Sequence, residues 1–255
     1  SSGKIAIVDM NFGTAPGPLA GANTEIELTS LYPIKTQGQQ TLTVKTFNPG
    51  IELLDGTITY ELIPEGIEVS AARWPLGEGA FSLDPFVWQY NATENRVVLR
   101  LENVGLATFL ENIGNGAVKA TGDLEGVFPV VISGINVTVD KGYIRVKDGG
   151  VIQYEAKREA AAAGEANEYA GMALDALKNF EYNSLFAEVD GPLDGEIIVG
   201  IDFDGQNKKV LNGQPFAFDV SLKGELFNIL RSFNSNAQIK SEVLRQTGLT
   251  PDIDP

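Results

Sequence analysis

The sequence predicts a mainly β protein, a long antiparallel meander that carries one Ala-rich helix. Three observations predict it. Apolar and polar residues alternate in segment after segment; turn residues interrupt them at intervals of roughly 10–15 residues; and one long stretch, Lys157–Asn179, repeats its apolar residues with helical spacing instead.

The alternation starts at Ile5 and Ile7 and continues to Glu102. Ile26 and Leu28 alternate with Glu25, Glu27 and Thr29; Leu42, Val44 and Thr46 with Thr41, Thr43 and Lys45; Ile58, Tyr60 and Leu62 with Thr57, Thr59 and Glu61; Val97, Leu99 and Leu101 with Val98, Arg100 and Glu102. Successive side chains of a strand point to opposite faces, so each segment has one apolar and one polar side. The Thr, Val and Ile content favours strand over helix. Asn48-Pro49-Gly50, Asp55-Gly56, Pro64-Glu65-Gly66 and Glu94-Asn95 supply the turns.

Leu106–Ile113 reads as a short helix stopped by Gly114-Asn115-Gly116. Strands are expected again at Ala117–Ile132, Ile135–Asp140, Gly142–Lys147 and Val151–Glu155. In the long helix, 157–179, Ala166, Tyr169, Ala170, Ala173, Leu177 and Phe180 form one apolar stripe. Gly164 and Gly171 weaken it by about 1 kcal/mol each. Glu196–Phe203 and Phe216–Leu222 are clean alternating strands. Short helices are expected at Glu225–Phe233 and Ala237–Gln246, the second stopped by Gly248, with Thr250–Pro255 frayed. No linker or internal repeat divides the chain, so residues 1–255 read as a single elongated β domain.

Composition excludes several functions. The chain has 255 residues and a net charge of -15, from 19 basic and 34 acidic side chains. Phosphate neutralisation needs clustered Lys and Arg, so nucleic acid is a poor partner, and direct docking to an anionic surface is disfavoured. Histidine and cysteine are both absent. That removes Ser-His and Cys-His dyads, His-containing zinc sites and disulfides. No run approaches the roughly 18 apolar residues of a membrane helix. The start, SSGKIAIVDM, lacks a signal peptide's basic end and apolar core. Its Ser-Ser-Gly, followed at once by a strand, reads as a cloning remnant on a fragment of a longer protein.

Asp202-x-Asp204-Gly205-x-Asn207, with Asp190 and Asp194 near in sequence, covers half of a calcium loop but lacks the closing bidentate Glu. An Asp-Gly turn after a strand explains it, and no metal, cofactor or catalytic residue is assigned. No carboxylate pair is flagged for glycosidase chemistry, and the sequons at Asn91 and Asn136 read as chance. Trp74, Trp88 and Tyr90 read as exposed and would form the platform of a carbohydrate-binding or adhesin-like domain. An unpaired sheet edge, for which 196–203 and 216–222 are the candidates, would accept a partner strand.

Four blocks carry a family resemblance: GVFPVVISGINVTVDKGYIRVKDGGVIQY (126–154), ALKNFEYNSLFAEVD (176–190), DGEIIVGIDFDGQN (194–207) and LNGQPFAFDVSLKGELFNILRS (211–232). In order and spacing they resemble the C-terminal region of YdbH-like proteins, of the AsmA-like group that also holds TamB and YhdP. The match is firm over residues 118–246 and looser before them. Gln153 stands where the family pattern has a basic residue. The resemblance implies a β-sheet rolled into an open half-tube, a β-taco-like groove with an apolar interior. It also implies a periplasmic protein of a Gram-negative bacterium, anchored in the inner membrane by an N-terminal helix, that moves phospholipids toward the outer membrane. Pairing with a small outer-membrane lipoprotein by strand addition is implied as well. The family's other label, dicarboxylate transport, finds no Arg cluster here to hold two carboxylates.

Under that implication the one-sided strands become a groove wall for acyl chains: Val137, Val139, Ile144, Val146, Ile197, Val199, Ile201, Phe203, Phe216, Phe218, Val220 and Leu222. A sixteen-carbon chain exposed to water costs on the order of 12 kcal/mol, at about 0.8 kcal/mol per methylene. An apolar wall removes most of that cost without any catalytic group. The alternative for the same residues is a closed β-sandwich, filled by its own side chains, that acts by edge-strand pairing without lipid.

Overall fold

A computed structural model describes residues 2–49, 51–112, 118–154, 168–193 and 195–225. Its strands are β1 Gly3–Thr14, β2 Gly17–Leu31, β3 Ile34–Thr36, β4 Gln40–Phe47, β5 Leu53–Ile63, β6 Gly66–Leu76, β7 Gly79–Leu83 and β8 Phe86–Gln89. They continue as β9 Asn95–Gly105, β10 Val118–Ala120, β11 Asp123–Ser133, β12 Asn136–Val146, β13 Gly150–Tyr154, β14 Phe180–Pro192, β15 Glu196–Gln206 and β16 Pro215–Glu225. Two α-helices are described, α1 Leu106–Asn112 and α2 Glu168–Leu177. Among the described residues the 16 strands join one antiparallel sheet that is not closed into a barrel. Its main path runs β1-β2-β4-β5-β6-β7-β9-β11-β12-β14-β13-β10; β15 pairs β14 and β16, β3 pairs β2, and β8 pairs β6.

The strands are longer than their alternation suggests because several change parity at one residue. Asp55, Asn103 and Lys141 have φ of 52° inside β5, β9 and β12. The buried positions step from Leu53 to Gly56, from Leu101 to Val104, and from Val139 to Gly142 across those residues. At Asp9 a left-handed residue falls within a register shift between β1 and β2, a β-bulge, whereas across Asp55 the β4–β5 register runs on unshifted and the left-handed residue alone changes the parity. Asp and Asn tolerate that conformation better than most residues. Neighbouring strands satisfy such backbones: Lys141 N–H donates to Asp190 Oδ1 at 2.9 Å, and Asp9, also at φ 52°, donates its N–H to Asn23 Oδ1 at 2.9 Å.

The chain divides into two compact units, Ser1–Val104 with Glu125–Tyr143 and Val189–Gly195, and Gly105–Leu124 with Ile144–Glu188 and Glu196–Pro255. In the first, Leu19, Ala22 and Val44 form a core against which Leu42, Phe47 and Ile58 pack. Trp74 lies against Phe47, ring centroids 5.4 Å apart, and over Gly56, where a Cβ would sit 2.0 Å from the indole nitrogen. Gly56 is thus a close-approach glycine. On the surface, Arg100 grips Asp84 with two bonds of 2.5 and 2.7 Å, holding that carboxyl below its usual range.

In the second unit, Leu174 and Ala176 of α2 are buried. Asn207, itself buried, donates from Nδ2 to the carbonyls of Asp175 and Ala176 at 3.2 and 3.0 Å. The helix's last carbonyls, which lack partners within the helix, are thereby capped.

Several sequence expectations are corrected. Ile135–Asp140 and Gly142–Lys147 fall on one strand, β12, which runs on through the left-handed Lys141. Ala117–Ile132 is instead two strands, β10 and β11, broken at Gly122, whose φ of 123° suits glycine. Glu196–Phe203 is no edge, because β15 has a partner on both sides. Trp74 is buried under its neighbours and serves no exposed platform. The expected helix at 157–179 is described from Glu168 and ends at Leu177; its earlier part, the two tail helices and Asp194 lie outside the described residues.

Candidate functional site: an apolar sheet face

β15 and β16 pair over their whole length without a register shift. Val199 faces Leu222, Ile201 faces Val220, Phe203 faces Phe218 and Gly205 faces Phe216. Residues opposite one another across an antiparallel pair point to the same side, so the alternation of both strands merges into one apolar face. The other face carries Asp202, Asp219, Ser221 and a Lys223–Glu196 ion pair of 2.8 Å.

Burial grades along this face. Ile197, Val199 and Leu222 are buried, whereas Ile201, Phe203, Phe216, Phe218 and Val220 are half-buried. The rings are ordered by one another. Phe203 and Phe218 stack at 4.7 Å, Phe216 lies 6.3 Å from Phe218, and Phe180 of β14 meets Phe203 and Phe218 edge-on at 5.7 and 5.3 Å. Edge-to-face and offset pairs are the favourable aromatic geometries. Phe180 is 0% exposed, and Gly205 admits β14 so closely that a Cβ there would lie 2.1 Å from the Glu181 carbonyl oxygen.

The remaining expected wall residues fall in different places. Val137 and Val139 are buried in the first unit, where Val137 joins Val97 and Ile132 in a core that Phe86, Trp88, Val130 and Leu193 pack against. In the second unit, Val146 is buried and Ile144 half-buried. The half-calcium-loop residues are engaged in structure. Asp204 accepts hydrogen bonds from Ser184 and Asn183, which hold its carboxyl below the usual range, and Asn207 caps α2.

A polar tether sits beside the aromatic cluster. Tyr182 is buried, its hydroxyl donates to the Thr121 carbonyl at 2.5 Å, and burial, with the Asp123 charge adding to it, pushes that hydroxyl up to about 12. The fold therefore favours the neutral phenol. The stability gained is complete below the ordinary tyrosine value near 10 and is lost as pH rises through about 12. Tyr182→Phe should lose about 1–2 kcal/mol at pH 7, because it removes the hydrogen bond to the Thr121 carbonyl. It should also flatten the fall in urea midpoint between pH 10 and 12.

Sequence alternation found β15 and β16 but missed β14. Its buried positions, Phe180 and Tyr182 and then Ala187, change parity within NFEYNSLFAEVD, which hides the period. The signal that remained was the density of aromatic residues in that block.

An antiparallel strand pair with one apolar face suits a protein that handles apolar cargo, and the family match agrees. The family model YdbH-like, described as intermembrane phospholipid transport protein YdbH, matches residues 1–248. The chain belongs to the YdbH-like family. The match takes in the first hundred residues as well as the four C-terminal blocks. YdbH-like proteins are transport proteins rather than an enzyme class, and their described work lies between two membranes. No curated protein and no solved structure matched the chain.

Proposed function

We propose that the β15–β16 face, with Phe180 behind it, is part of a groove that shelters phospholipid acyl chains in transit between the inner and outer membranes. One observation carries this reading: Ile201, Phe203, Phe216, Phe218 and Val220 form a contiguous apolar surface that the described residues leave half open. A filled core would bury these side chains as completely as Ile197. Ile144 of the same unit, also half-buried, is a further candidate for the wall.

In this reading the protein works in the periplasm of a Gram-negative bacterium, tied to the inner membrane. Catalysis has no part, since the apolar wall lowers the cost of moving a chain through water by burial alone. A second reading has its own observation: β16 pairs only with β15 among the described residues. Its free edge is the place for strand addition by a small outer-membrane lipoprotein, or for edge pairing without any lipid. Mass spectrometry of organic extracts from the purified chain, beside its native mass, separates the two. The groove predicts phospholipid or fatty acid near one per chain; edge pairing alone predicts none.

A further inference from the structure

The register of the first unit brings four loops to one end of its strands. β2 leaves that end at Leu31 and β3 returns at Ile34; β5 and β6 turn there through Ile63 and Gly66, which pair. β8 reaches it at Gln89, opposite Gly66, and β9 starts back at Asn95, whose side chain bonds the Gln89 backbone. The turn between β11 and β12 arrives beside them, Ser133 Oγ donating to the Thr93 carbonyl at 3.1 Å.

These loops carry a chemistry that the opposite ends lack. Tyr32 is 96% and Ile135 84% exposed, and Leu31, Ile34 and Tyr90 are exposed on the same set of tips. The turns at the other ends, 15–16, 48–52 and 77–78, carry no exposed large apolar side chain among the described residues. Loop tips are where soluble domains place polar residues, so apolar tips gathered on one side call for a partner. Charge narrows its identity. The four tips, 31–35, 63–66, 90–96 and 133–136, hold Lys35 and Arg96 against Glu65 and Glu94, two minus two, so they sum to zero on a chain of net -15. Neutral tips that combine aliphatic side chains with tyrosine, whose ring is apolar and whose hydroxyl is wet, match the headgroup boundary of a zwitterionic bilayer.

We propose that this end of the first unit docks on a zwitterionic phospholipid bilayer, inserting Tyr32 of the β2–β3 loop and Ile135 of the β11–β12 turn at the headgroup level, with Leu31, Ile34 and Tyr90 on the same end. The proposal rests on the reading that phospholipid is the cargo, for it supplies the contact through which such a protein would meet its donor or acceptor membrane.

The test is flotation of the whole chain with phosphatidylcholine vesicles. The parent should float. Tyr32→Ser with Ile135→Ser should partition about tenfold more weakly, since two large apolar groups no longer leave water. Tyr32→Phe should float as the parent does, and so should Leu54→Ser, which alters an exposed apolar residue outside the tips. A parent that stays in the aqueous phase, or a double variant that floats as well as the parent, would overturn the proposal. Loss of a concentration-dependent dimer in the double variant, with no flotation of the parent, would overturn it in favour of self-association. Lipid in extracts of a parent that does not float would sink the docking surface and leave the groove standing; tip-dependent flotation of a lipid-free parent would do the reverse.

Discussion

Ile201→Asp combined with Val220→Asp should reduce the lipid carried by the purified chain to less than about a tenth, because a carboxylate facing an acyl chain costs well over the 1.4 kcal/mol of one tenfold step. The two residues face each other across β15 and β16 on the half-open apolar side. Like charges opposite each other cost about 0.2–1 kcal/mol, which a folded domain tolerates. Gly200→Asp with Ser221→Asp is the matched control. Those residues are also a cross-strand pair of the same two strands, they point to the opposite face, and a Cβ at Gly200 meets nothing within 4 Å. The control should keep its lipid. If both double variants lost lipid equally, the loss would come from charge on the strands and not from the wall. If neither did, the wall lies elsewhere.

Phe180→Ala should cost about 3–5 kcal/mol in chemical denaturation, the usual range for truncating a fully buried phenylalanine. Its ring is the edge partner of both Phe203 and Phe218, so truncation opens a cavity behind the stacked pair. Phe180→Leu keeps most of the volume and should cost under about 1.5 kcal/mol. A loss below about 1 kcal/mol for the alanine variant would mean that the wall rings are not held by β14. A measured loss in the expected range, by contrast, makes the cluster a scaffold for the face as well as part of it.

The β class, the one-sidedness of most strands and the two strands of the candidate face were legible because period two survives wherever a strand runs unbroken, as in 196–206 and 215–225. Legibility failed where a local device interrupts the period. The parity change at Lys141 made one strand read as two, and the parity change after Tyr182 concealed β14 and with it Phe180. Trp74 was misjudged for another reason. Its burial depends on Gly56, a residue with no side chain to announce the indole that covers it. The edge of the sheet was likewise out of reach, since which strands pair depends on contacts between distant segments. That 196–203 is an inner strand follows only once β14 is known to lie beside it.

Family membership and an apolar face set the question that remains for the molecule, which is whether acyl chains lie against that face. Photo-crosslinking answers it most directly. A benzophenone side chain placed at Val220 points to the apolar side, and one placed at Ser221 to the polar side of the same strand. Irradiation of the chain loaded with phospholipid should join lipid to the Val220 position and leave the Ser221 position unlabelled. Equal labelling at both, or labelling at Ser221 alone, would contradict a groove lined by β15 and β16.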